Sequence, residues 1–300
     1  MEGLTIAEAR LWGTVVEGIL YGLYIACFTA CLSLFFSRLV RRTKQNKIIL
    51  WTITVLFCLT TAHFGCTMQA LRMGFFETRL PATPDAYFND RALPLNLVIK
   101  SINGVTMVLG DCLMLFRLWV IYEGNIFVMA LPTLTMLATG AIVFVLTWEF
   151  SNLTPTQNSF AESIKRIAPA AFVLPVVTNV FITALILYRI ISTRAAVRRF
   201  TSIHDDHIYR TVITNVVESC LIYPVVLIVA LILYLCNSNG QDVITGALPQ
   251  VIGIVATLLW VLVHLGFSRY DVARNQCISE ESIEARMTFV IPKPPTPDIP

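Results

Sequence analysis

Long runs of apolar residues, each broken by only a few polar positions, fill most of this chain. Seven are long enough to matter: Trp12–Phe36, Ile48–Leu71, Leu95–Tyr122, Ile126–Trp148, Ile167–Ile191, Thr211–Cys236 and Thr245–Phe267. As helices rising 1.5 Å per residue, each can cross a hydrocarbon layer of about 30 Å. Barrel strands would alternate apolar and polar positions, and these runs do not. The pattern predicts an all-α polytopic membrane protein: a seven-helix bundle over 12–268, a short N-terminal segment 1–11 and a tail 269–300. An odd number of crossings places the two termini on opposite sides.

Composition agrees. The chain is 56% hydrophobic and 14% charged, with a mean hydropathy of +0.71. Soluble domains are about a quarter charged, so the lipid bilayer is the expected solvent. Neither a nucleic-acid partner nor a cofactor is expected. The net charge of +3 matters less than its distribution. Arg38, Arg41, Arg42, Lys44 and Lys47 follow the first run, and Arg194, Arg198, Arg199 and Arg210 follow the fifth. Basic loops face the cytoplasm, which puts the N-terminus outside and the tail inside. Glu2 and Glu8 precede the first run without the basic stretch that opens a signal peptide, so that run is expected to stay uncleaved. The basic loops 38–47 and 192–210 are candidate surfaces for a cytoplasmic signalling partner; their simpler role is to set topology and meet anionic lipid.

Charges inside the apolar runs carry the functional signal, because burying them in hydrocarbon is costly. The stretch Gly110–Tyr122 is the reference for the others, with Asp111 deep in the third run and Arg117 near its end. The alternative for Arg117 is snorkelling to cytoplasmic phosphates. Asn179 in the fifth run is offered to Asp111 as a hydrogen-bond partner, and Glu218 in the sixth to Arg117 as an ion pair. With Tyr223 these form a predicted intramembrane polar core. Toward the outer side, Glu17, His63 and Lys100 are expected to line a cavity. His63 has no second histidine at helical spacing, so no metal site is expected. The connection Arg72–Pro94 could cover that cavity or be an irregular link. Asn152 begins the pattern Asn152-Leu153-Thr154 for glycosylation, and Cys277 in the tail is a candidate for acylation. The seventh run has no lysine for a retinal Schiff base, which argues against a light-driven pump or sensor. Its Pro249-Gln250 dipeptide stands once, whereas transporters built on that pair use it in two repeats.

Several blocks together resemble a family of seven-helix membrane proteins of basidiomycete (mushroom-forming) fungi. They are Glu17–Gly22, Thr61–His63, Gly110–Tyr122, Thr178–Ile190, Val217–Asn239 and the segment opening at Gln250 with Gly253-Ile254. The family often carries Pro-Thr and an arginine in its last helix; here Ala256-Thr257, Trp260 and His264 stand instead. The resemblance implies the seven-helix fold and a receptor-like topology, and it names no ligand or reaction.

The leading expectation is a receptor or sensor in the plasma membrane, with no catalytic residues, binding a small or lipophilic ligand. The Asp-Arg-Tyr and Asn-Pro-x-x-Tyr signatures of rhodopsin-like receptors are missing from the sequence. The alternative is an intramembrane enzyme using Asp111, Glu218 or Glu17 as a general acid on an isoprenoid-like substrate. It requires acids that converge on one cavity, and these are spread from the outer to the inner side. A transporter ranks third, for want of an internal repeat.

Overall fold

The computed structural model describes residues 5–37, 44–77, 83–90, 93–151, 162–197 and 221–262. Every regular element among them is helical. In order they are α1 (Ile6–Phe36), α2 (Lys44–Arg72, continued by a π-helical turn Met73–Glu77), α3 (Pro84–Asn89), α4 (Pro94–Ile121), α5 (Ile126–Ser151) and α6 (Glu162–Val197). Two more follow, α7 (Leu221–Leu235) and α8 (Gly240–Leu262). Six of these helices are long and apolar enough to span a membrane. Leu221–Leu235 is apolar but shorter, about 22 Å at 1.5 Å per residue. Residues 211–220 of the predicted sixth run lie outside the described residues.

Large side chains on the outside of the bundle are apolar: Trp51 is 72% exposed, Phe127 92% and Phe144 72%. A soluble protein rarely shows contiguous apolar surface on this scale. The helices are compatible with an integral multi-pass membrane protein.

Local chemistry sets the helix ends. Thr5 and Glu8 form a reciprocal capping box, so α1 begins at Ile6 rather than near Trp12. Pro84 and Pro94 open α3 and α4, where a missing N–H costs nothing. Glu123 and Gly124 take left-handed conformations with φ of 52° and 81°, which turns α4 tightly into α5. Asn237, at φ 51°, ends α7 in the same way, and Ser238 N donates to Leu233 O at 3.0 Å.

The connection after α2 is not wholly irregular. Phe88 of α3 is buried over Gly74, where an added Cβ would lie 2.3 Å from its ring. Asp85 Oδ1 accepts from Ala7 N at 2.9 Å, satisfying an amide at the start of α1 that has no partner within the helix. Along its most apolar stretch 72% of α8 is buried, against 39% for α4, so among the described residues α8 is the membrane-length helix most enclosed by the others. Helix α8 meets α1 through Tyr24 against Gly253, and α4 through Ile252 against Gly110. Only glycine allows these approaches, since a Cβ would sit 2.4 Å and 2.6 Å from those side chains.

Candidate functional site

Among the described residues, three polar features lie inside the bundle. The first joins α1, α2 and α8. His63 Nδ1 lies 2.7 Å from Glu17 Oε1, with His63 1% and Glu17 0% exposed. Gln250 Nε2 donates to the same carboxylate oxygen and to Thr60 O, each at 3.3 Å. Glu17 Oε2, His63 Nε2 and Gln250 Oε1 are buried and make no hydrogen bond. A low-dielectric interior makes such groups costly, so the cluster ties three helices together while keeping spare bonding capacity.

The second feature joins α4, α6, α7 and α8. Asn179 Nδ2 donates to Asp111 Oδ1 at 2.8 Å and to Pro175 O at 2.9 Å. Asp111 Oδ2 and Tyr223 Oη are buried without a hydrogen bond. Beside them a cavity of about 20 Å³ is lined by Gly110, Arg117, Asn179, Tyr223, Ile252 and Ala256, among others. That is room for one water molecule. Arg117 reaches into the bundle, and its Nη2 donates to Ala256 O at 2.9 Å. The guanidinium therefore does not snorkel away from the helices, because an inward carbonyl oxygen is within its reach.

The third feature is the larger cavity, about 110 Å³, among α4, α5, α6, α7 and α8. Lys100, Asn103, Gln241, Asp242 and Thr245, with the hydroxyls of Thr147 and Tyr234, supply its polar lining, and Met107, Val143, Leu146 and Leu248 are among its apolar residues. Lys100 Nζ sits 5.4 Å from the centre of the Phe150 ring, a cation–π arrangement. Asn103 Nδ2 donates to Thr245 O at 3.1 Å, while its Oδ1 makes no hydrogen bond. Asp242 lies 3.9 Å from Arg10, so α1 and α8 are also held by charge at the end where both begin.

The structure thus brings Glu17 to His63, and Asp111 to Asn179. It does not bring Lys100 to the first pair: Lys100 lines the cavity bounded by α5 and α6, whereas Glu17 and His63 face each other between α1 and α2. The single outer cavity expected from the three is corrected to two separate features, because the rotation of α4 turns Lys100 toward Phe150. Glu218, Asn152 and Cys277 lie outside the described residues, as does most of the basic loops 38–47 and 192–210. No family model, curated protein or solved structure matches the chain.

Sequence reasoning missed Gln250, Asn103 and Asp242 as parts of these features. Gln250 carried a usable signal: a carboxamide in an otherwise apolar run needs a partner, whatever its place beside Pro249. Asn103 stands on the same helical face as Lys100, three positions on, and could have been grouped with it.

Proposed function

We propose that this chain is a receptor or sensor of the plasma membrane with seven membrane-spanning helices, its N-terminus outside and its tail in the cytoplasm. In this reading the apolar run Thr211–Cys236 supplies one of the seven crossings, and the protein belongs with the seven-helix proteins of basidiomycete fungi that its sequence blocks resemble. A small ligand enters from the outer side, and the basic loops 38–47 and 192–210 meet a signalling partner such as a G protein.

One observation carries the receptor reading: α4 and α8 line both cavities. Gly104 and Met107 of α4 and Leu248 of α8 face the larger one. Gly110 and Arg117 of α4, with Ile252 and Ala256 of α8, face the smaller one. A ligand that shifts α4 against α8 by a fraction of an ångström disturbs both the Gly110–Ile252 approach and the Arg117–Ala256 bond. Packed interfaces of this kind convert small shifts into a choice between arrangements. The ligand's effect equals its difference in affinity for the two.

The enzyme alternative finds less support. Glu17 and Asp111 belong to separate clusters, and neither lines the larger cavity. The test is expression in a yeast strain with a G-protein-responsive reporter, screened against small apolar compounds. Ligand-dependent output that is lost when the basic residues of 38–47 are neutralised supports the receptor. A silent reporter together with lipid turnover in the same membranes overturns it. Protease protection of tags at the two ends tests the orientation, and tags on the same side would exclude seven crossings.

A further inference from the structure

The lining of the larger cavity narrows the chemistry of its ligand, an inference that rests on the receptor reading. Its polar lining clusters where α4 and α8 begin. Lys100 and Asn103 stand in the first turns of α4, and Gln241, Asp242 and Thr245 in the first turns of α8. Deeper along the same helices the lining becomes Gly104, Met107 and Leu248. From Lys100 to Met107 the cavity follows α4 for about 10 Å at 1.5 Å per residue. A molecule filling it has one polar end and an apolar body.

The chemistry of the polar end can be narrowed. Asn103 is 6% exposed, and its Oδ1 is a buried acceptor with no donor, while its amide nitrogen is committed to Thr245 O. A buried polar atom left in this state is destabilising, so a ligand that donates a hydrogen bond there is favoured. Lys100 supplies only donors, so the same ligand group must also accept. A carboxylate can accept from Lys100 but cannot donate to Asn103, and the buried carboxyl group of Asp242 lies in the same wall. An ammonium group can donate to Asn103 but has no lone pair to accept from Lys100. A neutral hydroxyl does both.

We propose that the cavity among α4, α5, α6, α7 and α8 binds a small apolar alcohol, its hydroxyl bridging Lys100 Nζ and Asn103 Oδ1 and its hydrocarbon lying along Met107, Val143 and Leu248. Size follows from volume. An apolar cavity of about 150 Å³ holds the six carbons of benzene, so 110 Å³ fits a body of roughly four to six non-hydrogen atoms.

The experiment uses the full chain in lipid nanodiscs and follows thermal unfolding by tryptophan fluorescence across titrations of hexan-1-ol, hexane, hexanoate and hexylamine. Hexan-1-ol is expected to raise the transition saturably, with an apparent affinity at least tenfold above the other three. Asn103→Leu should weaken hexan-1-ol at least tenfold while leaving hexane unchanged. Ala171→Phe, which fills the cavity from α6, should abolish the shift. If Ala171→Phe does not fold, Val143→Met closes the opposite wall and must reduce binding instead. Hexanoate binding as tightly as hexan-1-ol overturns the proposal, as does a wild-type protein that shows no saturable response to the alcohols from butanol to decanol. Alcohol binding without any reporter output sinks the receptor reading alone. Reporter output to another ligand, with no alcohol binding, sinks this inference alone.

Discussion

Glu17 and His63 face each other across α1 and α2 at 2.7 Å, and both are buried. They are 46 positions apart in the chain, and each is an ionisable side chain within an otherwise largely apolar run. The contact turns both residues toward the seam between the two helices. Tyr21 and Phe28 of α1 then stack on Phe57 of α2, with centroids 6.2 Å and 4.2 Å away.

Removing one partner leaves the other buried with too few bonds. His63→Ala should lower stability by about 3 kcal/mol, the range for breaking a buried polar pair. The double variant Glu17→Gln with His63→Ala should cost less than the two single changes summed. Denaturant unfolding in mixed micelles measures both, and strict additivity would show that the pair is not coupled.

Asp111 tests what its cluster requires. Asp111→Asn keeps an oxygen that accepts from Asn179 and should change stability by under about 1 kcal/mol. Asp111→Leu removes the acceptor from a bond of 2.8 Å and should cost about 1–3 kcal/mol. Equal losses for the two would mean that the charge, rather than the hydrogen bond, holds α4 to α6.

Glycine contacts on α8 make a contrast within one helix. At Gly253 an added Cβ would stand 2.4 Å from Tyr24, whereas at Gly246 nothing lies within 4 Å. Gly253→Ala should destabilise by about 1–3 kcal/mol through overpacking. Gly246→Ala should be neutral or stabilising by up to about 1 kcal/mol, since alanine is the better helix former. Melting temperatures in nanodiscs decide, and a neutral Gly253→Ala would mean that the contact between α1 and α8 yields easily.

Arg117 is the lever of the proposed switch. Arg117→Ala removes the bond to Ala256 O and should change ligand-free reporter output several-fold. Arg117→Lys, which cannot present the same planar fork, should restore only part of it. Glu218→Ala should act in the same direction, and the double variant should be less than additive if the two residues share one contact. Additive effects would reject the pairing of Arg117 with Glu218.

Much of the architecture was legible in residue order. Long apolar runs and the scarcity of charge determined that the chain is helical and suited to lipid, because hydrocarbon leaves the backbone no partner but itself. The tight turn at Glu123-Gly124 was readable too, since so short a break between two long runs can only reverse the chain. Asn179 could be offered to Asp111 because so few polar groups exist at that depth, and the structure joins them.

Tertiary packing decided the rest. A helix that is apolar nearly all round carries little information about which face turns inward. So the sequence placed Lys100 beside Glu17 and His63, while the rotation of α4 set it over Phe150. Nor could residue order reveal that α8 is the most deeply buried of the described membrane-length helices. That follows from glycines at Gly110 and Gly253, whose missing side chains matter only once Ile252 and Tyr24 stand opposite them. Composition chose the solvent and the helices; steric fit between helices distant in the chain chose their neighbours, and with them the cavities.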